Sequence, residues 1–249
     1  MDLTTTTTPT PLAAPPAESR PTLDCDRLSV REVNAVLQDL PEAAEATVLR
    51  PRGRHNLAVG LPQAMTLTID GNAGYFLGGL GGAADGSGPD IVVNGFVGWS
   101  VGENLMGGTI RVRGSASQSA GSSARGGRIF VEGHASLRAG ISLKGGTVAI
   151  AGNAGAMTGF MAQAGTILIG GNAGHALGDS LYEAVIYVQG TIASLGADAV
   201  VDEMNDEDVL AVKRLVETSG FDHIDPDRVT KVASARQLYH FSTHHHGTY

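Results

Sequence analysis

TIRVRGSASQSAG (109–121), RIFVEGHASLRAG (128–140), TVAIAGNAGAMTG (147–159) and TILIGGNAGHALG (166–178) repeat one pattern every 19 residues. Each begins with a five-residue alternation whose second and fourth positions are Ile or Val, and then reaches a glycine. A period of two places those residues on one face of a β-strand. Working outward, TLTID (66–70), DIVVN (90–94) and VIYVQ (185–189) fall in the same register. The second positions are Leu67, Ile91, Ile110, Ile129, Val148, Ile167 and Ile186, and the fourth are Ile69, Val93, Val112, Val131, Ile150, Ile169 and Val188. The third position varies (Thr68, Val92, Arg111, Phe130, Ala149, Leu168, Tyr187) and reads as an open face. On that reading Ile150→Asp buries a charge, whereas Ala149→Asp costs little.

The glycines Gly71, Gly95, Gly114, Gly133, Gly152, Gly171 and Gly190 are spaced once by 24 and then five times by 19 residues. They open the pattern G-x-x-G-x-x-x-G in GNAGYFLG, GFVGWSVG, GNAGAMTG and GNAGHALG. Serine replaces the middle glycine in GSASQSAG and GHASLRAG, and GTIASLG is one residue short. Ala73, Ala116, Ala135, Ala154 and Ala173 recur two places after the first glycine. We assign these glycines to structural turns, since glycine supplies backbone corners that other residues avoid. One such unit cannot bury its own apolar face, but stacked copies can. The sequence therefore predicts an all-β fold, a right-handed β-helix (β-solenoid) of about seven coils over 63–198, with short helical caps at both ends. At ~4.8 Å per coil the rod is roughly 30–35 Å long. A leucine-rich repeat has an overlapping period, but its L-x-x-L-x-L frame is missing. The longer first gap falls in GGLGGAADGSGPD (78–90), read as a bulging loop.

Ser29 and Glu32 make a capping box, Val33, Val36, Leu37 and Leu40 follow at helical spacing, and Pro41 stops the helix. Residues 27–62 read as a helical cap and linker with a basic cluster, Arg50, Arg52, Arg54 and His55. Residues 1–26, with a run from Thr4 to Thr8 and five prolines, read as a disordered leader. Residues 199–249 read as a C-terminal helix and a tail. Asn205 to Asp208 start the helix, Val209, Val212, Leu215 and Val216 form its stripe, and Gly220 ends it. This helix is expected to cap one end of the rod. In the tail SARQLYHFSTHHHGTY (234–249), Arg236, Leu238, Tyr239, Phe241 and Tyr249 suit a partner interface, because aromatic and arginine anchors dominate such surfaces.

Composition narrows the function. The 249 residues include 35 glycines and carry a net charge of −8, which argues against nucleic acid and anionic membranes as partners. The single cysteine forbids an intrachain disulfide, and no apolar run approaches a membrane span. With no secretory signal pattern, the expected location is cytoplasmic. The glycine spacing does not match a dinucleotide or P-loop fingerprint, and no copy precedes an amphipathic helix. Cys25 lies between Asp24 and Asp26, which oppose thiolate formation. His244, His245 and His246, with His240 and His223 upstream, could bind zinc or nickel, although a partner-docked or flexible tail is the simpler reading. His134 and His175 occupy different repeat positions and show no ligand pairing. Arg111, Arg113, Arg125, Arg128 and Arg138 fall on three consecutive coils, as a basic patch for an acidic partner or as solvated surface. No catalytic, cofactor-binding or metal-binding residue is expected on this chain.

With the repeat established, residues 60–200 resemble the GXGXG β-helix domain at the C-terminal end of the glutamate synthase large subunit. ENLMGGTIRVRGSASQSAG (103–121), GFMAQAGTILIGGNAGHALGDSLYEAVIYVQG (159–190), SLGADAV (194–200) and SARQLYHF (234–241) are similar to the free-standing form of that domain, the β-helix subunit of N-methylglutamate synthase (methylamine–glutamate N-methyltransferase). The Thr/Pro-rich leader and the THHHGTY ending depart from the pattern. The resemblance implies a non-catalytic subunit holding an amidotransferase-like subunit and an FMN-binding, glutamate-synthase-like subunit with an iron–sulfur cluster. The complex would convert glutamate and methylamine to N-methylglutamate and ammonia. The alternative is the C subunit of a formylmethanofuran dehydrogenase or formyltransferase/hydrolase complex, which shares the glycine repeat; the SARQLYHF tail and the QSAG coil argue against it. A stand-alone solenoid that binds carbohydrate or a surface fits poorly with 5% aromatic residues and no secretion signal.

Overall fold

The computed structural model describes residues 20–237. Eight strands stack in parallel in chain order: β2 (Glu45–Leu49), β3 (Thr66–Asp70), β4 (Asp90–Val93), β5 (Thr109–Val112), β6 (Arg128–Val131), β7 (Lys144–Ile150), β8 (Ala164–Ile169) and β9 (Val185–Val188). Equivalent inward residues pair in register, so Ile91 faces Ile110, Ile110 faces Ile129, Ile129 faces Val148 and Val148 faces Ile167, while the β7–β8 pairing shifts by one residue between Lys144 and Thr147. The result is a β-solenoid of about eight turns, one more than the glycine register predicts. The second and fourth positions are sealed inside, each contributing about 1.5–3 kcal/mol relative to exposure. Opposite them, Ala73, Val97, Ala116, Ala135, Ala154, Ala173 and Ile192 form a second column of parallel bridges, which explains the recurrent small residue.

The register glycines are required by close approach rather than by left-handed backbone. Of the seven, only Gly71 has a positive φ. A Cβ on Gly114 would sit 2.7 Å from the carbonyl oxygen of Gly95 in the preceding coil. The left-handed glycine is the last of the motif, as at Gly121 (φ 73°), where a Cβ would also meet Val148 at 2.6 Å. It is flanked by two further left-handed residues that are not glycine, Ser119 and Ser123. The Ser119 and Ser123 N–H groups donate to Leu137 and Ile141 of the next coil, whereas Gly121 donates to Val101 of the previous one. The corner thus ties each coil to both neighbours. Beside it runs a polar column. Asn72 Oδ1, Ser115 Oγ, His134 Nδ1, Asn153 Oδ1 and Asn172 Oδ1 each accept a backbone N–H from the following coil at 2.8–3.0 Å.

At the N-terminal end, residues 20–26, read as part of the leader, belong to the fold. Thr22–Asp24 form β1, parallel to β2, and Cys25 is fully buried. Residues 45–62, read as linker, form most of the first coil; Thr47 pairs with Thr68, a spacing of 21 rather than 19. Its basic residues hold the entering chain: Arg50 bonds Asp24, and Arg52 bonds Asp26 at 2.7 Å. Helix α1 (Val30–Gln38) begins at the expected capping box. It buries Val33 and Leu37 against this coil and closes the end through Asn34 and Gln38, which donate to the carbonyls of Asn56 and Val59.

At the other end, two strands form the cap expected of a helix. β10 (Ala199–Asp202) and β11 (Thr230–Ser234) extend the sheet antiparallel in the order β9-β11-β10. Helix α2 (Asp206–Ser219) has the predicted Asn205 N-cap and a left-handed Gly220 C-cap, but it lies along the flank of the rod. Phe130, Ala149, Leu168 and Tyr187 pack there with Val212, Phe221, Ile224 and Val229 in a second core. The open-face reading of the third position therefore fails from β6 onward. Ala149 is wholly buried, and Ala149→Asp is no longer a mild change. Two polar ties fix α2. The Tyr187 hydroxyl donates to Asp208 Oδ1 at 2.7 Å, and Lys231 Nζ lies 3.0 Å from both Asp208 and Asp202. At the C-terminal end of the helix, Arg111 donates to the Ser219 carbonyl at 2.9 Å and lies 5.1 Å from the Phe130 ring centroid. Arg111 is thus a helix-end clamp rather than part of a free basic patch.

Candidate functional site

The first three coils carry an exposed aromatic corner that the sequence reading did not single out. Tyr75 and Trp99 each stand four residues after a register glycine, so coil stacking brings their rings together at 5.1 Å. His55, from the first coil, stacks on Tyr75 at 4.2 Å and accepts the Tyr75 N–H on Nδ1 at 2.8 Å, which places its ring proton on Nε2. Phe76 follows Tyr75 in the left-handed corner, and its N–H donates to the Trp99 carbonyl. Phe96 occupies the column otherwise held by Asn, Ser, His and Thr. Tyr75, Phe76, Leu80, Phe96 and Trp99 are 38–58% exposed, five large apolar side chains on two successive coils. Such contiguous exposure marks interaction surfaces. Next to the stack, Asn56, Val59, Phe76, Gly79, Leu80, Glu103 and Asn104 line an open cavity of about 260 Å³. The signal was present in the sequence as GNAGYFLG and GFVGWSVG, whose aromatic residues sit at outward repeat positions.

Most predicted candidates have structural roles or lie elsewhere. The Cys25 thiol is pushed up by burial, and further by Asp24 and Asp26 against Arg54, so it is a poor nucleophile. His223 Nε2 lies 3.0 Å from the Ala151 carbonyl, and His175 Nδ1 lies 3.3 Å from Ser194 Oγ. Arg128 leans onto Thr109 of the preceding coil at 3.1 Å. Arg236 is described: its Nη2 pairs with Glu183 at 3.1 Å, and the Gln237 N–H donates to Asp198. The tail thus stays on the rod as far as residue 237. Leu238, Tyr239, Phe241, Tyr249 and the histidines His240 and His244 to His246 lie outside the described residues. Among the described residues no group of three or more His, Cys, Asp or Glu is placed to hold a metal ion. No described helix is long and apolar enough to cross a membrane.

These features define a β-solenoid with a 19-residue coil, helix-clad on its C-terminal flank and bearing an exposed aromatic corner near its N-terminal end. No family model matches the chain. It is 48% identical over 225 residues to Protein GlxC of Rhizobium meliloti (strain 1021), a match covering 89% of this chain and 96% of that protein. The chain belongs to the GlxC family.

Proposed function

We propose that this chain is a non-catalytic β-solenoid scaffold in a heteromeric complex related to glutamate synthase. In its finer form the complex is of the N-methylglutamate synthase type, turning glutamate and methylamine into N-methylglutamate and ammonia. The chain joins an amidotransferase-like subunit to one that carries FMN and an iron–sulfur cluster, in the cytoplasm. The observation that carries the reading is the aromatic corner: its rings stack across coils and stay open, unlike Phe130 and Phe221, which pack against α2, and so suit a docking surface. The side chains support it. The cysteine is buried, and the Tyr187–Asp208–Lys231 group is committed to fastening α2. The glycine-register resemblance supplies the identity of the complex.

The test is to co-express the tagged full-length chain with candidate amidotransferase-like and flavin-binding subunits encoded beside it. Co-purification of both in fixed ratio is expected, with turnover of glutamate and methylamine by the assembly and none by the chain alone. Stoichiometric flavin on the isolated chain, or turnover by it, would overturn the reading. Formyltransferase genes in place of the amidotransferase and flavoprotein genes would favour the one-carbon alternative.

A further inference from the structure

We infer that the cavity beside the aromatic stack receives an arginine side chain from a partner subunit. The inference rests on the scaffold reading above and adds the chemistry of the contact. The cavity has two kinds of wall. Phe76, Leu80 and Val59 are apolar, and Glu103, Asn56 and Asn104 are polar. The Glu103 carboxylate has no hydrogen-bond or ion-pair partner among the described residues. At about 260 Å³ the cavity is smaller than the usual range for a drug-sized ligand and suits a single inserted side chain.

The occupant must match both walls. A lone carboxylate at an apolar mouth calls for a cation, and the apolar wall calls for a long carbon stem beneath that cation. Arginine and lysine both satisfy these two conditions. The third condition is the aromatic wall, where the exposed Phe76 ring supplies the face. A guanidinium is planar, stacks on such faces and carries five donors, enough for the Glu103 oxygens and the two asparagine carbonyls together. An ammonium is a strongly hydrated point charge and gains less there. Of the cations on the first coil, Arg50 and Arg52 are paired with Asp24 and Asp26, and Arg54 donates to the Leu28 carbonyl. The exposed apolar residues around the cavity supply the water-excluding surround of a binding hot spot.

The assay is the affinity between the full-length chain and each co-purified partner subunit, measured at two salt concentrations. Glu103→Gln keeps the shape and removes the charge; it should weaken binding about 10- to 100-fold and flatten the salt dependence. Glu103→Arg should abolish binding, and an arginine-to-glutamate change on the partner should restore it. Trp99→Ser should weaken binding while lowering the melting temperature of the isolated chain by only a few degrees, the loss of one stack on Tyr75 by a half-exposed ring. Wild-type affinity in Glu103→Arg, or a loss that no partner arginine reverses, overturns the inference while leaving the scaffold reading intact. A fall in melting temperature that parallels the lost binding also overturns it. If the wild-type chain assembles with neither subunit, the scaffold reading falls and this inference falls with it.

Discussion

Phe130→Ala separates a solenoid with one core from a solenoid with two. Phe130 and its neighbour Ile129 point to opposite sides of β6, yet they are 2% and 1% exposed. Ile129 lies in the rod interior; Phe130 lies between sheet and helix, edge-on to Phe221 at 6.3 Å and beneath the Arg111 guanidinium. Removing a buried phenyl ring costs about 3–5 kcal/mol, a figure that already contains the ~0.5–1.5 kcal/mol of the ring pair and the cation–π contact. A truly open face would hold the cost within about 0.5 kcal/mol. At about 2–4 °C per kcal/mol for a chain of this size, the melting temperature should fall by roughly 6–20 °C if unfolding is cooperative. Urea unfolding followed by far-ultraviolet circular dichroism gives the energy, and hydrogen exchange shows where it is lost. Because solenoid coils contribute nearly independently, protection should fall first in α2 and the coils beneath it. Ile129→Ala should cost about 2–5 kcal/mol without that bias toward α2. A Phe130→Ala protein that unfolds like the wild type would refute the second core.

Other consequences follow from the same geometry. Ile150→Asp places a carboxylate between Val131 and Ile169 and should cost several kcal/mol in urea unfolding; Ala149→Asp, beneath α2, should also be strongly destabilising. Gly152→Ala would bring a Cβ within 2.7 Å of the Gly133 carbonyl oxygen and should lose about 1–3 kcal/mol by forcing coils apart, read as a lower urea midpoint. Burial raises the Asp208 carboxyl, but bonds from Tyr187, the Asn205 backbone and Lys231 outweigh it and leave it below its ordinary 3.8. Its contribution is therefore present above pH 3.8 and lost as pH falls through the lower folded value, so acid titration of helical dichroism should show α2 loosening there, and Asp208→Asn should blunt that transition. Lys231 is held above its ordinary 10.5 by the same partners despite burial, and its contribution is lost only as pH climbs past that raised value. Deleting residues 238–249 should reduce partner co-purification at an unchanged melting temperature; a large drop would place those residues in the fold instead.

The rod was legible because its determinants are local and repeated. Ile and Val at the second and fourth positions specify the inner face, and a copy every 19 residues specifies the stack. The first coil was hidden because residues 45–65 lack the opening glycine and depart from the spacing, although Ala46 and Val48 fill the same inward positions. The second core was hidden because the third position was averaged over all coils. Taken in order, Thr68, Val92 and Arg111 give way to Phe130, Ala149, Leu168 and Tyr187, and that change marks where α2 begins to cover the sheet. The strand cap was hidden because TKVAS is five residues long and pairs across the α2 insertion. The aromatic corner escaped because its rings come from different coils, and only stacking places Trp99 over Tyr75.

The distribution of these features along the rod has a consequence for assembly. A solenoid has two open ends and repeated flanks, so each surface must be closed by the chain itself or left for another molecule. Here α1 closes one end, β11 and β10 close the other, and α2 covers the flank from Phe130 to Tyr187. Among the described residues the coils before β6 receive no such helix; there five apolar side chains stand exposed, and two of them, Phe76 and Leu80, line a cavity with the Glu103 carboxylate. Burying those side chains within the chain would have required only another short helix, a device the same sequence uses elsewhere. Exposed aromatic rings also carry an aggregation risk that a flank of threonine and arginine would avoid. Their concentration on two coils is thus consistent with a surface that another chain completes.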